Sequence, residues 1–173
     1  MIKKAIFLII LTFSIVGPLF SSDLEKLWGI SQDDLISRLK LQNYLTFKPE
    51  EKPEYNNRII DFFSSMNTED RAVINILRTG ENPEIDYCFF NKKLYSISEN
   101  WTNIDIAGAG DLLKTIKGNY SNIKTENKDS YIVYSFKKNK TKGLLYKKVI
   151  DEKSVRIRIF YYSTDLFSML FCE

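Results

Sequence analysis

The sequence predicts an α+β protein built from two helix-then-antiparallel-strand units, with the helices packed on one face of an antiparallel sheet. The segments 34–44 and 111–120 both begin Asp-Leu-(Ile/Leu) and end Asn-Tyr, 77 positions apart, and a tryptophan, Trp28 or Trp101, precedes each. Aromatic residues make up 14% of the chain, which favours a sheet because aromatic side chains suit a pleated surface. Together these observations predict two passes through one structural plan.

Residues 1–22 have the pattern of a signal peptide. A basic start, Met1-Ile2-Lys3-Lys4, precedes a 16-residue apolar run from Ala5 to Phe20, which is the order of a secretory leader. The run is shorter than the ~20 apolar residues that a membrane-spanning helix needs. An uncleaved N-terminal anchor is the alternative. The sequence therefore predicts an exported protein, periplasmic or extracellular, with contact to a membrane only through an uncleaved leader.

Residues 23–173 are predicted to form one α+β domain, with 23–100 and 101–173 as its internal repeat. The apolar content of 44% exceeds what a disordered chain carries. Without the leader the formal charge falls from +3 to +1, because Lys3 and Lys4 are removed and no acidic residue goes with them. A nearly neutral balance gives no reason to expect a nucleic-acid partner.

In the first half, a helix is predicted over residues 32–41. Ser31 is a suitable N-cap, and Leu35 and Leu39 share one helix face and are predicted to lie in the core. The segment 71–78 fits either a helix or a strand, and a strand is preferred because Val-Ile-Asn-Ile is poor helix material. The remaining predicted strands of this half are 45–47, 58–63 and a hairpin of 85–90 with 93–97.

In the second half, a helix is predicted over 107–117, with Gly118 at the C′ position that favours glycine. Leu113 and Ile116 are its predicted core residues. Strands are predicted for 131–136, 143–149 and 155–162, with a loop of four lysines between the first two. The last strand alternates, so Ile157 and Ile159 are predicted to face the core and Arg156 and Arg158 the solvent.

This layout resembles the small exported β-lactamase-inhibitor-protein and outer-membrane-assembly-lipoprotein folds. It is also similar to uncharacterised exported bacterial proteins that open with Trp-Gly-x-Ser before a helix, here Trp28-Gly29-Ile30-Ser31. The resemblance covers the layout of most of residues 23–173. It implies an exported α+β protein and carries over no functional residue. The chain departs from the lipoproteins because it has no acylation cysteine.

The chain contains no histidine, which removes Ser-His-Asp and Cys-His nucleophilic sites and the usual zinc sites. No metal site and no cofactor is predicted. Gly108-Ala109-Gly110 superficially matches a dinucleotide fingerprint, but the third glycine position holds Leu113 and no βαβ unit follows. Close packing of the helix start is the preferred interpretation. An enzyme would have to use paired carboxylates or a Ser–Lys arrangement.

The two cysteines, Cys88 and Cys172, form a candidate disulfide. An even cysteine count in an oxidising compartment favours a bridge. Two buried thiols are the alternative, because free cysteine packs as a small hydrophobic residue.

Charge is unevenly distributed along the chain. Residues 23–105 carry 10 basic and 15 acidic groups, whereas residues 106–158 carry 13 basic and 5 acidic groups. A basic hairpin with nearby tyrosines is therefore the candidate binding site for an acidic envelope component or protein partner, although a solvated turn is the alternative. Its predicted residues are Lys137, Lys138, Lys140, Lys142, Tyr134 and Tyr146.

The sequence thus favours an exported, non-enzymatic binding or structural protein of the bacterial envelope. A small hydrolase with a carboxylate site, acting on an envelope component, is the alternative.

Overall fold

The computed structural model describes residues 24–48 and 74–166. Within these residues the chain forms helices and strands, and the strands join in one sheet. In chain order the elements are α1 (Gln32–Leu39), β1 (Leu45–Phe47), β2 (Ile74–Thr79), β3 (Glu84–Phe90), β4 (Lys93–Asp105), α2 (Ile106–Asn119), β5 (Ser121–Lys128), β6 (Tyr131–Lys138), β7 (Thr141–Val149) and β8 (Ser154–Ser163).

The eight strands form a single sheet in the order β1-β2-β3-β4-β8-β7-β6-β5. Every neighbouring pair is antiparallel. Strands β4 and β8, far apart in sequence, pair at the centre of the sheet, whereas β1 and β5 form its two edges. The central pairing makes one continuous sheet of the whole described domain.

The predicted architecture of two helix-then-strand units with helices packed on one sheet face is wrong. The described chain is mostly one eight-stranded antiparallel sheet with few, short helices. Two strand features account for the error. Strand β5 is almost entirely polar and lacks an alternating pattern, and β4 continues through Trp101 to Asp105, where the sequence suggested a lead-in to the helix. The division into repeats 23–100 and 101–173 stays a prediction.

The individual helices agree with the sequence better than the architecture does. Ser31 caps α1, its hydroxyl oxygen accepting a hydrogen bond from the Asp34 backbone N–H at 3.2 Å, and Asp105 caps α2 through the Gly108 N–H at 2.6 Å. The Gly118 prediction is wrong. Helix α2 continues through Gly118 to Asn119, and Tyr120 follows in an extended conformation because its side chain is buried beside the sheet.

The predicted strands are confirmed where the structure describes them. Segment 71–78 is a strand over its described part, as β2 begins at Ile74. The hairpin of β3 and β4 has its two-residue turn at Asn91 and Lys92, both with positive φ. Predicted strand 58–63 lies outside the described residues.

One face of the sheet, together with α2, forms the larger core. On β8 the alternation is confirmed, since Val155, Ile157, Ile159 and Tyr161 are buried in this core. Helix α2 contributes Ala109, Leu112 and Ile116. Leu35 is buried as predicted, but Leu39 and Leu113 are only partly buried and pack against the core from its margin.

The opposite face carries a second, smaller core at its β1 end. Five buried residues form it: Phe47, Ile74, Ile76, Cys88 and Tyr95. Arg78 lies on the same face and pairs with Asp86 of the neighbouring strand. On strands β5 to β8 this face carries many cationic side chains.

Candidate functional site

The predicted four-lysine loop is a two-residue turn between long strands. Lys138 pairs with Thr141 and Lys137 pairs with Lys142 in the β6–β7 ladder, so only Asn139 and Lys140 form the turn. Asn139 has φ of 48°, a conformation that asparagine tolerates better than most residues. Lys137 and Lys142 therefore belong to the sheet, where pairing and side-chain alternation determine their direction.

Side-chain contacts hold the turn in place on two sides. Lys140 Nζ lies 2.7 Å from Asp165 Oδ2, and this hydrogen bond raises the pKa of the Lys140 ammonium. Behind the turn, the buried Thr141 hydroxyl donates to Glu25 Oε1 at 2.6 Å and accepts from Trp28 Nε1 at 2.9 Å. These contacts give the hairpin tip a structural role.

The six predicted site residues do not form one cluster. Tyr134 and Lys138 lie on the same face as the buried Phe136, toward α2, and Tyr134 packs against the larger core. Lys137, Lys142 and Tyr146 lie on the opposite face. The structure thus separates the predicted site and leaves three of its residues on one surface.

That surface is the face of β5–β8 turned away from α2, here called the basic face. It carries seven cations and one carboxylate, Glu126, which pairs with Lys128 at 3.0 Å. Except for the half-buried Arg158, the cations are exposed. The seven are Lys124, Lys128, Lys137, Lys142, Lys148, Arg156 and Arg158.

Two pairs of like charges lie directly across neighbouring strands of the basic face. Lys137 is the cross-strand partner of Lys142, and Lys148 is the partner of Arg156. Within residues 24–48 and 74–166, none of these four side chains forms an ion pair. Like charges placed opposite each other destabilise a sheet, so each pair marks a position where a bound anion would relieve repulsion.

An aromatic line crosses the basic face between the two like-charge pairs. The Tyr131 and Tyr146 ring centroids are 5.9 Å apart, and those of Tyr146 and Phe160 are 6.0 Å apart. The Arg158 guanidinium lies 5.7 Å from the Phe160 centroid, within cation–π range. Burial, and secondarily Tyr131, raises the pKa of Tyr146, so Tyr146 is neutral at physiological pH.

Sequence reasoning missed the lysines Lys124, Lys128 and Lys148 as members of this surface. Lys124 and Lys128 were missed because β5 was not predicted, and Lys148 because only the lysines near the turn were considered. The alternation of Leu144, Tyr146 and Lys148 with inward residues was the available signal. It identifies a face only when the strand order is known, because the cations come from four strands.

Two carboxylates are buried in the sheet, on opposite faces. Asp86 lies beside Arg78, whereas Glu99 is 1% exposed in the larger core and accepts a hydrogen bond from Trp101 Nε1 at 3.3 Å. Burial, and after it the Glu99 carboxylate, raises the pKa of Tyr161 well above its usual value. Because the sheet separates Asp86 from Glu99, these two groups do not share a cleft.

Cys88 is a buried thiol in the second core, and its predicted partner, Cys172, lies outside the described residues. The bridge therefore stays a prediction. Burial, with a smaller contribution from Asp86, raises the pKa of the Cys88 thiol to about 12.

We expect Cys88 to resist thiol reagents in the folded protein. With a pKa of about 12, roughly one thiol in ten thousand is ionised at pH 8, and the thiolate is the reactive species. In a Cys172→Ser variant, labelling by an aromatic disulfide reagent at pH 8 should be at least about a hundredfold slower than in denaturant. Rapid labelling of the folded variant would show that this core opens readily.

No family model, curated protein or solved structure matches the chain. The resemblance drawn from Trp28-Gly29-Ile30-Ser31 stays a prediction. Helices of the described residues are all too short or too polar to cross a bilayer. The same residues contain no group of three or more potential histidine, cysteine or carboxylate metal ligands.

Proposed function

We propose that this is an exported, non-enzymatic binding protein of the bacterial envelope, and that its basic face binds a polyanion. The proposal rests on the two pairs of like charges, Lys137 with Lys142 and Lys148 with Arg156. The signal-peptide pattern of residues 1–22 supports export. An acidic component of the envelope would neutralise both contacts at once.

The distance between the two pairs of like charges favours an extended ligand over a small anion. Lys142 and Lys148 are both on β7, six residues apart. At about 3.4 Å per residue this separation is about 20 Å. A single phosphate or carboxylate cannot reach both contacts, whereas a linear polyanion can lie across the face and meet each of them.

Protection of the sheet edge does not account for this charge. Lysines on an outer strand discourage pairing with other chains, and this explanation fits Lys124 and Lys128 on β5. Strands β7 and β8, however, are paired on both sides. Edge protection therefore does not apply to the cations of these inner strands, Lys142, Lys148 and Arg156, and anion binding is the explanation that we propose for them.

The alternative of a carboxylate hydrolase gains no support from the buried carboxylates. A glycosidase places two carboxyl groups on either side of one bond, about 5–10 Å apart. Asp86 is bound to Arg78, and Glu99 lies in the core on the other side of the sheet. Asp86 lies on the same sheet face as Phe160, but its carboxylate is held by Arg78, and Glu99 points to the other face.

The proposal is tested by removing charge from the basic face. In a Lys124→Gln, Lys142→Gln, Lys148→Gln variant, we expect binding to a soluble polyanion at low salt to weaken about a hundredfold. The reason is that each lysine near an anionic surface contributes on the order of 1 kcal/mol, and 1.4 kcal/mol is tenfold in affinity. Binding is measured by titration calorimetry with linear polyphosphate and with a linear polymer of uronic acid.

A matched variant controls for net charge. Lys92→Gln, Lys114→Gln, Lys117→Gln removes the same charge from exposed residues of a turn and of α2, and it should bind nearly as well as the wild type. Affinity should also fall as salt shortens the screening length from about 10 Å at 0.1 M to about 3 Å at 1 M. Equal weakening by both variants, or no binding to either polymer, would refute the proposal.

A further inference from the structure

We infer that the polyanion bound by the basic face is a linear acidic glycan, whose sugar rings pack on Tyr131, Tyr146 and Phe160 while its acid groups meet the flanking cations. The inference rests on the proposed function and specifies its ligand. Three observations carry it: the position of the aromatic line, the tilt of its rings and the placement of the cations.

The aromatic line passes between the two like-charge pairs, so a polymer lying along it has one pair on each side. It runs diagonally through adjacent strands, from Tyr131 on β6 through Tyr146 on β7 to Phe160 on β8. Lys137 and Lys142 lie on one side of this diagonal, and Lys148 and Arg156 on the other. A bound polymer therefore needs apolar ring surface in its middle and acid groups directed to both sides.

An acidic glycan meets both requirements. Each pyranose ring has C–H groups that pack on an aromatic face, whose negative quadrupole attracts the partial positive charge of those hydrogens. In a linear uronic acid polymer, successive rings are rotated about the chain, so carboxylates project to alternate sides. The cations on the two flanks match that alternation, whereas a ligand with acid groups along one side would leave one flank unpaired.

The tilt of the rings disfavours stacked nucleobases. The Tyr131 and Tyr146 planes are inclined by 51°, and those of Tyr146 and Phe160 by 87°. A single-stranded nucleic acid binds best where aromatic faces lie open to successive flat bases. Rings set edge against face instead form a corrugated surface, which suits the puckered faces of sugars.

The burial of the aromatic line disfavours a lipid bilayer. Tyr146 and Phe160 are half-buried and Tyr131 is 38% exposed, whereas the flanking lysines are exposed. Insertion into a bilayer draws its energy from apolar side chains that leave water. Here the cations would reach the headgroups first and hold the aromatic rings above the acyl chains.

The test compares two polyanions of matched charge, a uronic acid polymer and linear polyphosphate, on aromatic variants that keep every cation. In a Tyr131→Leu, Tyr146→Leu variant, affinity for the uronic acid polymer should fall about tenfold, because each ring contact contributes modestly beyond charge. Affinity for polyphosphate should stay within about twofold of wild type, because polyphosphate has no ring to pack. Tyr131 is exposed. A loss of affinity in the single Tyr131→Leu variant therefore does not come from loss of folding.

The outcomes separate this inference from the proposed function. If the variant binds both polymers equally more weakly than the wild type does, or binds both as well as the wild type, the aromatic line does not recognise sugar rings. The glycan inference is then overturned and the polyanion proposal remains. Tighter binding of oligothymidylate or of anionic phospholipid vesicles than of the uronic acid polymer would also overturn it. Failure of every polyanion to bind the wild type would refute both. A matched aromatic control is Tyr134→Leu, on the core side of β6, which should leave both affinities unchanged after correction for folded fraction.

Discussion

An Arg78→Met variant should be less stable than the wild type by about 3–5 kcal/mol, the usual cost of breaking a buried ion pair from one side. Arg78 Nε donates to Asp86 Oδ1 at 2.7 Å, and Nη2 donates to Oδ2 at 3.2 Å. The Asp86 side chain is 2% exposed, so its charge would remain in the sheet without this guanidinium. Denaturation by urea at pH 7 measures the loss.

Two variants control the Arg78 experiment. Arg156→Met removes an exposed arginine and should change the free energy of unfolding by no more than about 0.5 kcal/mol. Arg78 Nη1 also lies 3.0 Å from Glu84 Oε2, whose side chain is 30% exposed. Arg78→Met combined with Asp86→Leu and Glu84→Gln removes all three charges and should recover much of the loss, since apolar replacement of a whole buried ion pair is often neutral. A cost below 1 kcal/mol for Arg78→Met alone would mean that other contacts of Asp86 suffice.

A Gly143→Ala variant should lose about 1–3 kcal/mol, the typical cost of overpacking a core. Gly143 lies opposite Phe136 in the β6–β7 ladder, and a methyl group there would overlap the Phe136 ring. That ring cannot move freely, since its centroid is 4.6 Å from that of Tyr120 and 6.0 Å from that of Tyr161. These aromatic contacts join the end of α2 to the sheet.

Gly118→Ala provides the contrast for Gly143→Ala. Gly118 is the penultimate residue of α2, and an added methyl group would meet no atom within 4 Å. Alanine is favoured over glycine in a helix interior by about 1 kcal/mol, so this variant should be more stable than the wild type. Opposite signs for the two substitutions, measured by thermal and urea denaturation, are the expected result. The same sign for both would show that the Phe136 ring relaxes at little cost.

The basic face illustrates how far sequence reasoning extended toward the candidate site. The excess of positive charge after residue 105 was visible from the composition, and Arg156 and Arg158 were placed on a solvent face from alternation alone. The binding residues were nevertheless chosen by closeness along the chain. This choice combined Lys138 and Tyr134, which lie on the core side, with Lys137 on the opposite side, because neighbouring residues of a strand point to opposite faces.

Local structure was determined by the sequence itself. Periodicity and capping residues predicted α1, α2 and the strands β6 to β8 to within a few residues, because hydrogen bonding and side-chain direction repeat over short distances. The buried face of β8 was likewise predicted from its alternating isoleucines.

Only the tertiary structure decided the architecture and the site. The pairing of β4 with β8 joins residues about 60 positions apart, and no local pattern encodes it, because backbone hydrogen bonds between strands are the same for every sequence. Polar β5 forms an edge strand because it pairs with β6. Its own residues have weak strand propensity. The like-charge pairs and the aromatic line exist only because this strand order brings β6, β7 and β8 side by side.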